Sequence, residues 1–198
     1  MPNGKEKNKK NSLQKSDCFY TKHLQVCLFK PLDADQFHRL LSHPMVHSFL
    51  GASSFLSRPE LIRDFLQQVS RKKDDFRSQA WLLYSVFDKI TLQFIGGCGF
   101  KMDWENANTE IFYLLFPEFW GKGLAVEACI PILDNLFKQL GIKNVNALID
   151  PENKRAQRVA AKLGFKPIKT IQLNRYDQKI EAQHWNLELF LSDTPKSI

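Results

Sequence analysis

Three features of this 198-residue chain predict an α/β fold built on a mixed sheet. The apolar run Ile111-Phe112-Tyr113-Leu114-Leu115 reads as a central strand. It passes through the loop Phe116-Pro117-Glu118-Phe119-Trp120-Gly121-Lys122-Gly123 into an amphipathic run ending near Leu140. Trp81 to Phe87 and Thr91 to Met102, separated by Asp88-Lys89, read as a hairpin. The last third alternates strand, helix and two further strands. Neither an internal repeat nor a linker interrupts the pattern, so the expected core is one domain, residues 18–192. It lies between a disordered basic tail, residues 1–17, and a short C-terminal tail, residues 193–198.

The elements follow in order. Leu24 to Lys30 is a strand. Asp33 with Gln36 has capping-box spacing, and Ala34, Phe37, Leu40 and Leu41 make a helical stripe that Pro44 ends. Ser57 with Glu60 opens a second helix carrying Leu61, Ile62, Phe65, Leu66 and Val69. The charged run Arg71 to Arg77 is its solvated end. Gly96, Gly97 and Gly99 inside the hairpin's second strand point to a bulge or to close backbone packing. Glu110 to Phe116 is apolar on both faces, as a central strand is. Ala125, Cys129, Ile132, Leu133, Leu136 and Leu140 form the core stripe of the next helix. Pro131 is expected to kink it, and Gly141 to close it. Val145, Ala147 and Ile149 alternate as a strand. Asp150-Pro151-Glu152-Asn153 starts a helix that stops at Gly164. Phe165 to Leu173 and Ile180 to Phe190 are the final strands.

Composition narrows the function classes. The net charge of +7 includes five lysines against two acids in the first 17 residues. The modest remaining excess suits an anionic small ligand, and no basic–aromatic helix points to nucleic acid. Cys18, Cys27, Cys98 and Cys129 show no CxxC and no Cys/His cluster, so neither a metal nor a disulfide framework is expected, and reduced thiols in a cytoplasmic protein are the simplest reading. No apolar run approaches the length of a membrane span.

The strand–loop–helix passage has a chemical meaning. Free N–H groups at a helix start and the helix dipole attract phosphate, and glycine lets it approach the backbone. The P-loop spacing is absent. Asn153, at the start of a later helix, is both an N-cap candidate and a ligand-contact candidate.

Trp120-Gly121-Lys122-Gly123-Leu124-Ala125, Asp150-Pro151-Glu152-Asn153 and Lys162-Leu163-Gly164-Phe165 together resemble the GNAT superfamily of acetyl-CoA-dependent N-acetyltransferases. Leu24 to Leu32, Ser42-His43-Pro44 and Ile95-Gly96-Gly97-Cys98-Gly99-Phe100 are similar, in order and spacing, to its branch of Rim-type ribosomal-protein N-terminal acetyltransferases. The resemblance spans Leu24 to Phe190. It implies a mixed, mostly antiparallel sheet with a splayed strand pair and flanking helices. A bulge in Glu110 to Phe116 is expected to open the gap. Pantetheine would pair with backbone at Leu114, Leu115 and Phe116. Pyrophosphate would sit on amides of Gly121, Lys122, Gly123, Leu124 and Ala125, and Asn153 and Ala156 would contact the CoA arm. Trp120 stands where the wider family has Gln or Arg, which suits the Rim-type branch.

The resemblance implies acetyl transfer to a primary amine, either a protein N-terminus or a small-molecule amine, by direct attack in a ternary complex. A CoA-binding sensor without catalysis is the alternative. Glu110 matches a glutamate that acts as general base in some relatives; an exposed strand-end carboxylate is its plain reading. Many relatives carry a Tyr where this chain has Ala160; Tyr113, Cys98, Tyr176 and His184 are the other proton donors, none compelling, and the CoA thiolate, a moderate leaving group, could instead be protonated through water. Acetyl-CoA as co-substrate and no metal are expected; a monomer and a homodimer both fit.

Overall fold

A computed structural model of the chain describes residues 18–50, 60, 63–67, 79–103, 107–175 and 178–188. Its eight strands are β1 (Cys18–Tyr20), β2 (Leu24–Leu28), β3 (Gln79–Asp88), β4 (Phe94–Asp103), β5 (Asn108–Leu115), β6 (Asn144–Ile149), β7 (Lys166–Arg175) and β8 (Gln178–Glu188). They form one sheet in the order β1-β2-β3-β4-β5-β6-β8-β7. Every neighbouring pair is antiparallel except β5 and β6, which run parallel. Helices α1 (Ala34–Leu41), α2 (Pro44–His47), α3 (Leu124–Lys138) and α4 (Lys154–Lys162) flank it. Residues 63–67 are also helical. The tails, Ser57 and the run Arg71 to Arg77 lie outside the described residues.

Alternation along the strands builds two cores on opposite faces of the sheet. On one face, Ile111 and Leu115 of β5 and Val145, Ala147 and Ile149 of β6 pack against Cys129, Ile132 and Leu136 of α3. On the other, Phe37 and Leu40 of α1 join Leu66, Leu83 and Phe94, with Phe112 and Leu114 packed beside them. Gly97 and Gly99 of β4 serve this second face by close approach, and a register shift against β3, Val86 opposite Gly96 but Phe87 opposite Phe94, sets an extra β4 residue beside Gly96. A Cβ on Gly97 would lie 2.3 Å from the Phe37 ring. The recorded register shifts fall between Val86 and Phe87 and between Pro167 and Lys169, not in β4 against β5.

Several expectations are corrected. Cys18 and Cys27 are disulfide-bonded, with Cα atoms 4.0 Å apart. They are nine residues apart in sequence, yet the antiparallel register sets them directly opposite each other. A search for adjacent cysteine motifs overlooks such a pair. Only Cys98 and Cys129 are free thiols. Asp33 does not cap α1 with its side chain. It is buried, and its Oδ2 accepts from the Lys30 amide at 3.0 Å and from Ser85 Oγ at 2.7 Å. Pro44 ends α1 but also opens α2 at its first turn, where its missing N–H costs nothing. Pro131 does not interrupt α3. No helix among the described residues is long and apolar enough to cross a membrane.

The turn between β1 and β2 is fastened to α3 by one carboxylate. Glu127 accepts from Thr21 Oγ at 2.5 Å and from the His23 amide at 2.7 Å, and meets His23 Nδ1 at 2.9 Å. Burial pushes this carboxyl up, but the Thr21 and His23 hydrogen bonds outweigh it and hold it below the ordinary glutamate range. A depressed acid stabilises the fold above its unfolded value, and that contribution disappears as pH falls through the folded value. Melting curves should therefore show Glu127→Gln losing stability at neutral pH and converging on the parent below about pH 4.3. A gap that persists undiminished well below that pH would refute the fastening. Ser85→Ala removes the one hydroxyl partner of buried Asp33 and should cost about 1–3 kcal/mol, read as a melting temperature lower by about 2–4 °C per kcal/mol.

Candidate active site

The site begins where two strands part. β4 and β5 are in continuous register from Gly96 opposite Leu115 to Asp103 opposite Asn108. β6 is in register with β8 over all six of its residues, from Asn144 to Ile149. Between β5 and β6 one pair is recorded, Glu110 opposite Asn146. Beyond it both strands continue unpaired to each other. The gap thus opens without the bulge in β5 that the resemblance implied: each strand follows its better-paired neighbour, and sheet twist carries the two apart.

Peptide groups alternate along a strand. The Phe116 amide donates to Ile95 O at 3.0 Å, toward β4. Tyr113 and Leu115 therefore turn their peptide groups the other way, into the gap. The Leu115 carbonyl is taken by Trp120, whose indole Nε1 donates to it at 2.8 Å. The Arg155 guanidinium of α4 lies over that indole, 5.0 Å from the ring centroid. The loop is in this way pinned to the end of β5 and to α4 together.

Gly121 and Gly123 adopt φ of +77° and +79°, left-handed conformations that favour glycine. A Cβ at either would meet nothing within 4 Å, so open space lies over both. Gly123 is the N-cap of α3, and no side chain caps that end. The first bond of the helix runs from the Glu127 amide to Gly123 O, at 3.1 Å. The amides of Leu124 to Val126 precede it and belong to the orphan donors of a helix start. This is an anion cradle in its geometry. Asn153 caps α4 by accepting from the Ala156 amide at 3.0 Å.

A cleft of about 1040 Å³ connects these parts. Glu110, Leu114, Leu115, Gly121, Gly123, Leu124, Ala125, Asn153 and Ala156 all line it, whereas Phe116 and Lys122 do not. Phe116 packs on His43 and Phe94, and Lys122 reaches over the Phe119 ring. The cleft also takes in Trp81, Lys101 and Phe112, which the sequence did not single out, Trp120 and Asp150 from its motifs, and, along one face of α4, Arg155, Arg158 and Lys162, among which with Lys154 the sequence alone could not choose a phosphate contact. Their signal was weak because they come together only through register and helix docking. Described charged side chains on the walls are four cations and two carboxylates, Glu110 and Asp150, a balance suited to an anionic ligand.

The candidate acids separate clearly. The Tyr113 hydroxyl donates to Ala156 O at 2.8 Å, and burial holds its proton far above the usual tyrosine range. Ala160, fully buried, lies one turn further along α4. Tyr113 is thus a tie between β5 and α4. Cys98 is buried against Cys129, and burial raises its thiol well above the ordinary value. His184 is not on the cleft wall and engages Asn146 Oδ1 at 2.8 Å. Tyr176 lies outside the described residues. Of the other histidines, His23 pairs with Glu127, and His43 caps α2 by accepting from the Met45 amide.

Comparison with known proteins agrees with this geometry. A family model described as an acetyltransferase (GNAT) domain matches residues 24–166. An uncharacterized N-acetyltransferase, p20, of Bacillus licheniformis is 30% identical over 150 residues, 75% of this chain and 82% of that protein. A ribosomal-protein-S5-alanine acetyltransferase of Vibrio fischeri superposes with a TM-score of 0.69 at 22% identity, over 86% of this chain and 96% of that one. RimL, a ribosomal L7/L12 alpha-N-protein acetyltransferase solved with coenzyme A, superposes with a TM-score of 0.70 at 14% identity, over 85% of this chain and 96% of that one. The family model spans most of the chain from β2 to the start of β7, and this chain belongs to the GNAT family of acetyltransferases.

Proposed function

We propose that the chain transfers the acetyl group of acetyl-CoA to a primary amine by direct attack within a ternary complex. The observation that carries this reading is the gap between β5 and β6 running onto the left-handed glycines at the open start of α3. A long substrate with a pyrophosphate at one end and a thioester at the other fits that path. Acetyl-CoA supplies an activated acyl group; the chain supplies position and charge.

Amides from Gly121 to Ala125 hold the pyrophosphate, and Arg155, Arg158 and Lys162 add positive charge on that side. The Tyr113 peptide group and the Leu115 amide, which β6 leaves unpaired, meet the pantetheine arm as a strand neighbour would. An N–H of this edge facing the thioester carbonyl stabilises the charge that develops on its oxygen. Holding donor and acceptor in line provides much of the advantage. Glu110, on the cleft wall where the strands part, takes the proton of the acceptor ammonium, directly or through water. The leaving thiolate takes its proton from solvent, since Tyr113, Cys98 and His184 are committed elsewhere.

Glu110→Gln should lower kcat by about 100-fold or more while leaving CoA affinity within about a factor of two. Thiol release under saturating acetyl-CoA and calorimetric CoA titration check the two halves, and unchanged kcat removes Glu110 from the mechanism. Gly123→Val forces a branched side chain into a left-handed conformation, costing about 1–2 kcal/mol of stability. It also intrudes on the anion cradle, so CoA should bind roughly 10- to 100-fold more weakly, the worth of one charge-assisted hydrogen bond or more. A lower melting temperature with undiminished CoA binding would sink the phosphate assignment.

A further inference from the structure

We infer that the acceptor is a singly charged primary amine borne on an aromatic or large aliphatic group; this rests on the acetyl-transfer reading above. One register row crosses the sheet at the point where the strands part. Trp81 of β3 is opposite Lys101 of β4, Lys101 is opposite Glu110 of β5, and Glu110 is opposite Asn146 of β6. Opposite residues share a face, so an aromatic ring, a cation and a carboxylate stand side by side on the α1 face. All three line the cleft.

The aromatic end of this row is a built wall. The Trp81 ring meets Phe65 edge-on at 5.3 Å and Phe112 at 5.8 Å between centroids. Phe65 and Phe112 line the same cleft. An apolar group attached to the amine gains contact there when its nitrogen lies at Glu110, because Phe112 is two residues along the same strand face. Lys101 gives the wall its selectivity. Its positive Nζ lies 5.6 Å from the Trp81 ring centroid, and in the register row Lys101 stands between Trp81 and Glu110. A second ammonium on the acceptor would face that charge, and no carboxylate other than Glu110 and Asp150 lines the cleft among the described residues. Asp150 belongs to the other end, where its carbonyl accepts from the Asn153 amide at the start of α4. Polycationic acceptors such as polyamines are therefore rejected by charge, and amines on small groups gain nothing from the aromatic wall.

The test compares phenethylamine, a peptide beginning with Phe, the same peptide beginning with Ala, and spermidine, each with acetyl-CoA and the full chain. An aromatic acceptor, free or peptide-borne, should lead by roughly 10- to 100-fold in kcat/KM; which one leads tells whether the group arrives on a small molecule or a chain end. Trp81→Ala should raise KM for that acceptor and leave kcat largely intact. Lys101→Gln, at a half-buried position that tolerates a polar residue, should raise kcat/KM for spermidine several-fold without changing CoA affinity. Leadership by spermidine or the Ala peptide overturns the inference and leaves acetyl transfer standing, as does an unchanged KM in Trp81→Ala with an unchanged spermidine rate in Lys101→Gln. CoA binding with no turnover on any acceptor overturns both.

Discussion

Pairing between β5 and β6 stops at Glu110 and Asn146, and the rest of the site depends on that stop. A strand edge inside a sheet is normally satisfied by its neighbour, and leaving it open costs free energy for every peptide group denied a partner. The chain tolerates the cost because the two strands are firmly held from outside, β5 by β4 and β6 by β8. The open edge is also short. One of its carbonyls, that of Leu115, is taken by the Trp120 indole, which limits the opening. The same bond fixes the start of the glycine loop relative to the end of β5, so the gap and the anion cradle are one rigid unit.

Trp120 gains its meaning from this role. By the resemblance, a side chain at that place in the loop is expected to be polar or cationic, and an indole looks like a loss of charge beside the start of α3. The structure returns the charge from another element: Arg155 lies over the indole at 5.0 Å. A cation on an aromatic face is held without a carboxylate partner, so its charge stays available to an anion. The loop keeps its positive field, and the ring gains a hydrogen bond to the backbone that a Gln or Arg would have to choose between making and meeting a ligand.

The order of elements, the two-sided apolarity of β5 and the loop–helix passage were legible in the sequence because each is local. Period-two and helical spacing, glycines and Asn153 reveal themselves within a few residues. What escaped was set by register between distant segments. The three-residue strand β1 has no pattern to read, and the Cys18–Cys27 bond exists only because a turn at residues 21–23 brings it back on β2. Asp33 has the spacing of a cap, yet Ser85 of β3, 52 residues away, offers its hydroxyl from a buried strand and captures the carboxylate. Glu110 was visible as a carboxylate at a strand start, but its neighbours Lys101 and Trp81 came into view only with the β3–β4–β5 pairing.

Packing gives a reason for Ala160, the position where the resemblance led one to expect a tyrosine. Tyr113 projects from β5 on the face that α4 covers, and its hydroxyl reaches the carbonyl of Ala156, one turn before Ala160. A second phenol at position 160 would compete for the space beneath α4, where Ala160 is already fully buried. The phenol present at this junction arrives from the strand, and its surroundings set its chemistry. A phenol bonded to a backbone carbonyl and raised in pKa by burial is a poor proton donor, because a thiolate leaving group is far too weak a base to deprotonate it. The group therefore stiffens the junction of β5 and α4, where Arg155 and Asn153 are mounted. In the proposed reaction, expulsion of the thiolate relies on the stability of that anion near neutral pH and on the cationic side of the cleft, which favours acceptors whose own amine is held close to Glu110 and loses its proton early.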